Sequence, residues 1–93
     1  SKKEAARWAE LNLLVRAGGI RNLRRQVSFE LQGGAGPIMT KGGSKVRRYV
    51  ADFVYYDVAL GCEVIEDAKG HDTETSELKR AIMAAQGVPV QIV

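Results

Sequence analysis

The stretch Arg48-Tyr-Val-Ala-Asp-Phe-Val-Tyr-Tyr56 gives the strongest strand signal in the chain. Valine, phenylalanine and tyrosine favour the pleated, half-buried surface of a β-sheet. Asp52 interrupts this apolar run. An ionised carboxylate in such surroundings is costly unless it is paired or bound to a cation. The stretch therefore predicts a central strand that carries one functional acid.

A second strand is predicted where the chain reads Glu63-Val-Ile-Glu-Asp-Ala-Lys-Gly70. Side chains alternate along a strand, so Asp67 and Lys69 share one face and Glu66 points to the other. If this strand pairs antiparallel with the first, Asp52 and Asp67 come close together. The pattern then predicts two carboxylates and an ammonium group on one patch.

This patch has the chemistry of a phosphodiester hydrolase. Paired carboxylates from Asp52 and Asp67 are hard ligands for Mg²⁺, and the carbonyl of Ala68 is a further candidate ligand. The ion polarises a phosphate and lowers the pKa of a bound water. Lys69 is expected to orient that water or to stabilise the developing charge. The competing interpretations are a structural ion pair between Asp52 and Lys69, and charges that simply face solvent.

The remaining elements follow from periodicity, glycines and prolines. They are a helix at 2–17, a strand at 27–31, a glycine-rich loop at 32–46, a polar turn at 70–75, a helix at 76–86 and a strand at 88–93. The second helix is expected to pack through Leu78, Ile82 and Ala85. The last strand should lie parallel to the one before it, because a helical crossover joins them. The fold class is α/β: one small domain over 1–93, with αβββαβ order and a mixed sheet flanked by helices.

Glu4 is expected to face the sheet from the first helix. It is in line with Trp8, Leu11 and Val15, at helical spacing along one apolar stripe. An inward carboxylate can complete a metal site. Ser1 and Glu4 also have the spacing of a capping box, in which Glu4 serves the helix end. Both roles can hold together.

Charge is divided unevenly along the chain. Residues 1–50 carry eleven Lys and Arg against three acids, whereas residues 51–93 carry three Lys and Arg against eight acids. A basic half suits a polyanion, and a compact acidic group suits a metal. The residues expected to contact a nucleic-acid backbone are Lys41, Lys45, Arg47 and Arg48 in and beside the loop, and Lys79 on the second helix. The loop lacks the spacing of a phosphate-binding P-loop.

Other residue types exclude several classes of protein. No apolar run approaches the roughly 20 residues that a membrane-spanning helix needs. The single cysteine, Cys62, cannot form an internal disulfide and is expected to be a small, partly buried residue. A reducing cytosol fits this composition. His71 is expected to be a solvated loop residue, and Gln26 is expected to face the acidic patch.

Several motifs together resemble the DUF1064 family of phage and prophage proteins. They are Ser1-Lys-Lys-Glu4, Leu23 with Gln26-Val-Ser-Phe29, Tyr49-Val-Ala-Asp-Phe53 and Glu66-Asp-Ala-Lys-Gly70. That family resembles PD-(D/E)XK nucleases, including phage Holliday-junction resolvases. Carried over, the resemblance implies a restriction-endonuclease-like core with Glu4, Asp52, Asp67 and Lys69 at the active site. Ala51 stands where the superfamily's name has proline, a position that varies widely.

The resemblance implies an endodeoxyribonuclease that uses Mg²⁺, with Mn²⁺ as a substitute. It would act on branched or recombination DNA in the cytoplasm of a bacterial host. A homodimer is expected, because cutting a junction requires two active sites. The alternatives are a non-catalytic nucleic-acid-binding module and a phage module that binds a host protein. The sequence does not distinguish DNA from RNA as the substrate.

Overall fold

The computed structural model describes residues 1–68 and 72–93 of the chain. Its elements are α1 (Lys2–Arg16), β1 (Ile20–Glu30), β2 (Gln32–Gly33), β3 (Gly36–Pro37), β4 (Arg48–Asp57), β5 (Cys62–Asp67), α2 (Glu74–Ala85) and β6 (Val90–Ile92). Lys69 and His71 lie outside the described residues, as does part of the turn predicted at 70–75. No helix in the described parts of the chain is both long and apolar enough to cross a bilayer.

The main sheet has the strand order β1-β4-β5-β6. β1 pairs antiparallel with β4, and β4 pairs antiparallel with β5. β6 pairs parallel with β5, as the sequence predicted, and it lies at the edge of the sheet. The small α/β domain with a mixed sheet flanked by helices is therefore confirmed.

Two segments between α1 and β4 differ from the prediction. β1 begins at Ile20 rather than at Val27. The polar residues between these positions conceal the strand, and a register shift after Arg21, with φ of 55° at Asn22, breaks its alternation. The glycine-rich loop is not wholly irregular, because β2 and β3 form a small hairpin and Met39 bridges to Val46.

The apolar stripe of α1 is shorter than predicted. Leu11 is fully buried, and Trp8 stacks on Phe53 with ring centroids 6.0 Å apart. Val15 is 39% exposed, and it does not belong to either described core cluster. The last turn of α1 thus presents its apolar side chains to solvent.

The predicted inner face of α2 is also wrong in part. Met83 is its fully buried residue and Ile82 is half-buried, whereas Leu78 is 61% exposed and Ala85 is exposed. The helix turns its Met83 side toward the sheet because Met83 joins a cluster with Val54 and Ile65. Cys62 begins β5 as an exposed residue rather than a partly buried one.

The buried side chains form two clusters on opposite faces of the sheet. The α1 core consists of Leu11, Ile20, Phe53, Tyr55, Val64 and Ala68. The α2 core consists of Leu31, Tyr49, Ala51, Val54, Ile65 and Met83. A regular strand would keep positions 49, 51, 53 and 55 on one face. Since β4 gives the first two to the α2 core and the last two to the α1 core, it changes phase at Asp52.

β1 changes phase at the matching position. Arg25 lies over the Trp8 ring of α1, 4.7 Å from its centroid, whereas Val27 packs against the α2 core. Gln26, between them, has a φ of 52°, which few side-chain-bearing residues adopt. The irregularities at Gln26 and Asp52 lie side by side on neighbouring strands. We call this position the seam, because both strands pass from one core to the other there.

Candidate active site

Asp52 and Asp67 meet where β4 and β5 stop pairing. Phe53 pairs with Glu66 in the antiparallel ladder. Asp52 comes just before Phe53 and Asp67 just after Glu66, so the two aspartates lie next to each other beyond that pair. The backbone N–H of Asp52 donates to Oδ1 of Asp67 at 2.9 Å, and the N–H of Ala68 donates to Oδ2 of Asp52 at 3.0 Å. Each carboxylate thus accepts a backbone hydrogen bond from the opposite strand. The structure brings the two predicted acids together, with Asp67 buried and Asp52 half-buried.

Gln26 connects this pair to the first helix. Its Nε2 lies 3.3 Å from Oδ1 of Asp52 and 3.2 Å from Oε2 of Glu4. The neighbouring pairs of β1 with β4 place Gln26 opposite Asp52. Left-handed backbone costs a residue with a Cβ about 1–2 kcal/mol, so packing and these hydrogen bonds must hold Gln26 in place. The predicted position of Gln26 beside the acidic patch agrees with this geometry.

Glu4 uses different atoms for its two predicted roles. Its backbone N–H donates to Oγ of Ser1 at 3.2 Å, which caps α1. Its carboxylate contacts Gln26 and lies 3.5 Å from a guanidinium nitrogen of Arg25. The cap therefore occupies the N–H of Glu4 and leaves the carboxylate directed at the candidate site.

A buried ion pair next to the site was not predicted from the sequence. Glu66 is 1% exposed, and it accepts from Nε and Nη2 of Arg7 at 2.9 and 2.7 Å and from the hydroxyl of Tyr55. Glu66 faces α1, opposite to Asp67, in line with the predicted alternation. The hydrogen bond to Glu66 raises the pKa of Arg7. Burial raises the pKa of Tyr55, and the hydrogen bond of Tyr55 to Glu66 raises it further.

One sequence signal could have indicated this pair. Arg7 follows Glu4 by about one turn of α1, so the two side chains lie on the same side of the helix. Glu66 alternates with Val64, which belongs to the α1 core. The ion pair ties the helix that carries Glu4 to the strand that carries Asp67.

On the α2 side, Arg80 binds the carboxylate of Asp72 and is largely buried. The hydrogen bond to Asp72 raises the pKa of Arg80, and the negative charge of Asp67 adds to that rise. Arg80 is therefore not a solvated side chain, and it lies within electrostatic reach of the site. Lys69, predicted to orient the attacking water or to stabilise the developing charge, lies outside the described residues, so its role stays a prediction.

The donor types at the site suit a hard cation, although the full ligand set is not assembled. Glu4 and Asp52 direct carboxylate oxygens at one nitrogen of Gln26, and such oxygens are what Mg²⁺ prefers. Within residues 1–68 and 72–93, no three or more His, Cys, Asp or Glu side chains form a group that could hold a metal ion. Asp67 and the Ala68 carbonyl are the remaining predicted ligands.

The predicted nucleic-acid contacts fall into two kinds. Lys41, Lys45 and Arg47 are exposed on the loop, and Lys79 is half-buried on α2. Arg48 instead pairs with Glu30 at 3.0 Å, so its charge is partly compensated. Arg47 and Lys79 line the same groove, together with apolar side chains.

Comparisons with known proteins place the chain in a family without giving it an activity. A family model described as a protein of unknown function (DUF1064) matches residues 1–92. No curated protein and no solved structure matches the chain.

Proposed function

The chain belongs to the DUF1064 family, and from this membership and the geometry of its acids we propose that it is a metal-dependent endodeoxyribonuclease with a PD-(D/E)XK, restriction-endonuclease-like core. The observation that carries the proposal lies where β4 and β5 separate: Asp67 accepts from the backbone N–H of Asp52, and Asp52 accepts from the backbone N–H of Ala68, next to Asp67. Gln26 adds the carboxylate of Glu4 to this pair. Gln26 thus links Glu4 of α1 to Asp52, and the backbone N–H of Asp52 links that residue to Asp67.

Asp52, Asp67, Glu4 and the carbonyl of Ala68 are the groups proposed to hold Mg²⁺, with Mn²⁺ as a substitute. The ion, when bound, polarises the scissile phosphate and lowers the pKa of a coordinated water. The N–H of Ala68 fixes the Asp52 carboxylate, and the N–H of Asp52 fixes that of Asp67. Carboxylates that are already held in place do not have to move as negative charge develops in the transition state. Such preorganisation is usually the largest electrostatic contribution to catalysis.

The reaction proposed is hydrolysis of a DNA phosphodiester. The attacking water gives a proton to solvent as its oxygen bonds to phosphorus, one P–O ester bond breaks, and the leaving alkoxide takes a proton from solvent. Lys69 is proposed to orient the attacking water and to stabilise the charge on the phosphate oxygens. Branched or recombination DNA is the proposed substrate, and a homodimer would supply the second active site that two cuts require.

The first test compares cleavage of supercoiled plasmid and of a labelled four-way junction, with Mg²⁺, with Mn²⁺ and with EDTA. Asp67→Asn keeps an acceptor for the Asp52 N–H but removes the charge. Loss of one preorganised electrostatic group typically costs about 10²–10³-fold in rate, and we expect a loss of that size. Glu63→Gln is the matched control, because it removes an exposed carboxylate from the same strand.

Metal-dependent cutting that Asp67→Asn abolishes and Glu63→Gln keeps would support the nuclease. Equal activity of the two variants would refute the assigned site. A folded protein that cuts no DNA with either metal would refute the proposed activity.

A non-catalytic nucleic-acid-binding module is the second candidate. The observation that favours it is the lack of a group of three metal-ligating side chains in the described part of the chain. It predicts DNA affinity that does not change with Mg²⁺ or with Asp67→Asn. A host-protein-binding module would instead use exposed apolar residues such as Leu78, and would show little DNA affinity.

A further inference from the structure

A groove of about 340 Å³ lies between the glycine-rich loop and α2. Its floor is aliphatic, formed by Leu31, Ile38 and Ile82. Arg47 from the loop and Lys79 from the helix also line it. We name it the loop–α2 groove. It does not include the acids of the candidate active site.

The cations at this groove differ from most arginines of the protein. Ion pairs with carboxylates engage Arg7, Arg24, Arg25, Arg48 and Arg80. Neither Arg47 nor Lys79 forms such a pair within residues 1–68 and 72–93. Glu74 and Glu77 of α2 line a separate depression beside Leu78. Among the described residues, therefore, no carboxylate lies within ion-pair distance of either cation at the loop–α2 groove.

We propose that the loop–α2 groove binds an unpaired nucleotide of single-stranded DNA, with the base on the aliphatic floor and the flanking phosphates on Arg47 and Lys79. The inference rests on the proposed nuclease function and gives it a substrate class: DNA in which a single strand adjoins a duplex. A duplex keeps its bases inside the stack and cannot fill an apolar depression. An unpaired nucleotide offers a flat apolar face and a phosphate at once.

One further observation favours a nucleic acid over a single acidic group. The exposed Lys41 and Lys45 extend the positive charge along the same loop, beyond the groove. Such a row of cations suits a polyanion with evenly spaced phosphates. In addition, the negative charge of Asp67 contributes to the raised pKa of Arg80, the residue after Lys79. A strand held in the groove would thus lie on the α2 side of the candidate site.

The test measures binding without cleavage, by fluorescence anisotropy of labelled dT12 and of a labelled 12-base-pair duplex in EDTA. Arg47→Ala/Lys79→Ala should weaken dT12 binding at least tenfold. It should also reduce the slope of log K against log salt by about 1.4, because each lost single-strand phosphate contact contributes about 0.7. Arg16→Ala/Arg21→Ala removes the same charge near the other end of β1 and should change dT12 affinity much less.

A second variant tests the apolar contact separately. Leu78 lines the groove and is 61% exposed, so Leu78→Ser should leave the fold intact. It should weaken dT12 binding by several-fold with an unchanged salt slope, since no ionic contact is lost. Duplex affinity should change by less than in the Arg47→Ala/Lys79→Ala protein.

The proposal is overturned if Arg16→Ala/Arg21→Ala weakens dT12 binding as much as Arg47→Ala/Lys79→Ala does. It is also overturned if Arg47→Ala/Lys79→Ala lowers affinity for the duplex as much as affinity for dT12. A labelled oligoglutamate that binds tighter than dT12 through Arg47 and Lys79 would overturn it in favour of an acidic peptide. Failure of the nuclease is a separate result: binding in EDTA can depend on the groove even if no plasmid is cut. Conversely, the wild-type enzyme is expected to cut a duplex with a single-stranded flap in preference to a plain duplex. If Arg47→Ala/Lys79→Ala keeps that preference, the proposed role of the groove is refuted and the nuclease is not.

Discussion

The buried pair of Arg7 and Glu66 gives the sharpest prediction for stability. Arg7→Met removes both guanidinium donors and leaves Glu66, which is 1% exposed, with Tyr55 as its remaining side-chain partner among the residues that the structure describes. Breaking a buried pair by removing one partner costs about 3–5 kcal/mol. Because the Tyr55 hydroxyl still donates, we expect the lower end of that range. For a domain of this size the loss corresponds to a fall in Tm of about 12–24 °C, at about 4–8 °C per kcal/mol.

The assay is urea denaturation of Arg7→Met, Glu66→Gln and the double variant, followed through Trp8. Trp8 is the only tryptophan and stacks on Phe53 in the α1 core, so its fluorescence reports this half of the protein. In the double variant no charge is stranded, and we expect it to be more stable than Arg7→Met alone. A cost below about 1 kcal/mol for Arg7→Met, or a double variant no better than it, would refute the assigned role of the pair.

Three other predictions follow from single side chains. Burial, with Glu66 adding to it, raises the pKa of Tyr55, so alkaline titration should show one tyrosine ionising above the usual value of about 10. Its contribution to stability is full below that pH and is lost as pH rises further, and a titration in which all tyrosines ionise together would contradict this. Gln26→Gly should be more stable than Gln26→Ala by about 1 kcal/mol, because only glycine accepts the positive φ without strain; equal urea midpoints would show that the backbone is not strained. Leu11→Ala should cost about 2–5 kcal/mol, whereas exposed Leu13→Ala should stay within about 0.5 kcal/mol, and similar melting curves for both would disprove the assigned core.

The meeting of Asp52 and Asp67 was predictable because it depends on local features. Both strands have strong β-forming composition, and a short connection forces their antiparallel pairing. Once they pair, side-chain alternation fixes which acids can approach. The parallel edge strand was predictable for a similar reason, since a helix that connects two strands reverses the chain.

The features that were not predicted depend on how distant segments pack. Arg7 and Glu66 are separated by 59 positions, and only the placement of α1 on the sheet brings them together. The early start of β1 is concealed because its polar stretch lacks the apolar alternation that is typical of a strand. The exposure of Val15 depends on where the sheet ends beneath the helix, which periodicity within α1 does not specify. The activity, its metal and its DNA substrate stay predictions.

The change of phase at Gln26 and Asp52 has a consequence for cooperativity. The two cores share no buried residue, so each can in principle open as a separate unit in hydrogen exchange. Glu4 belongs to the half that α1 covers, whereas Asp52 lies on the boundary. Opening of that half alone would dismantle the site while the α2 half kept its amide protection. The proposed DNA cleavage is then expected to be lost at a lower temperature than the melting of the sheet as a whole.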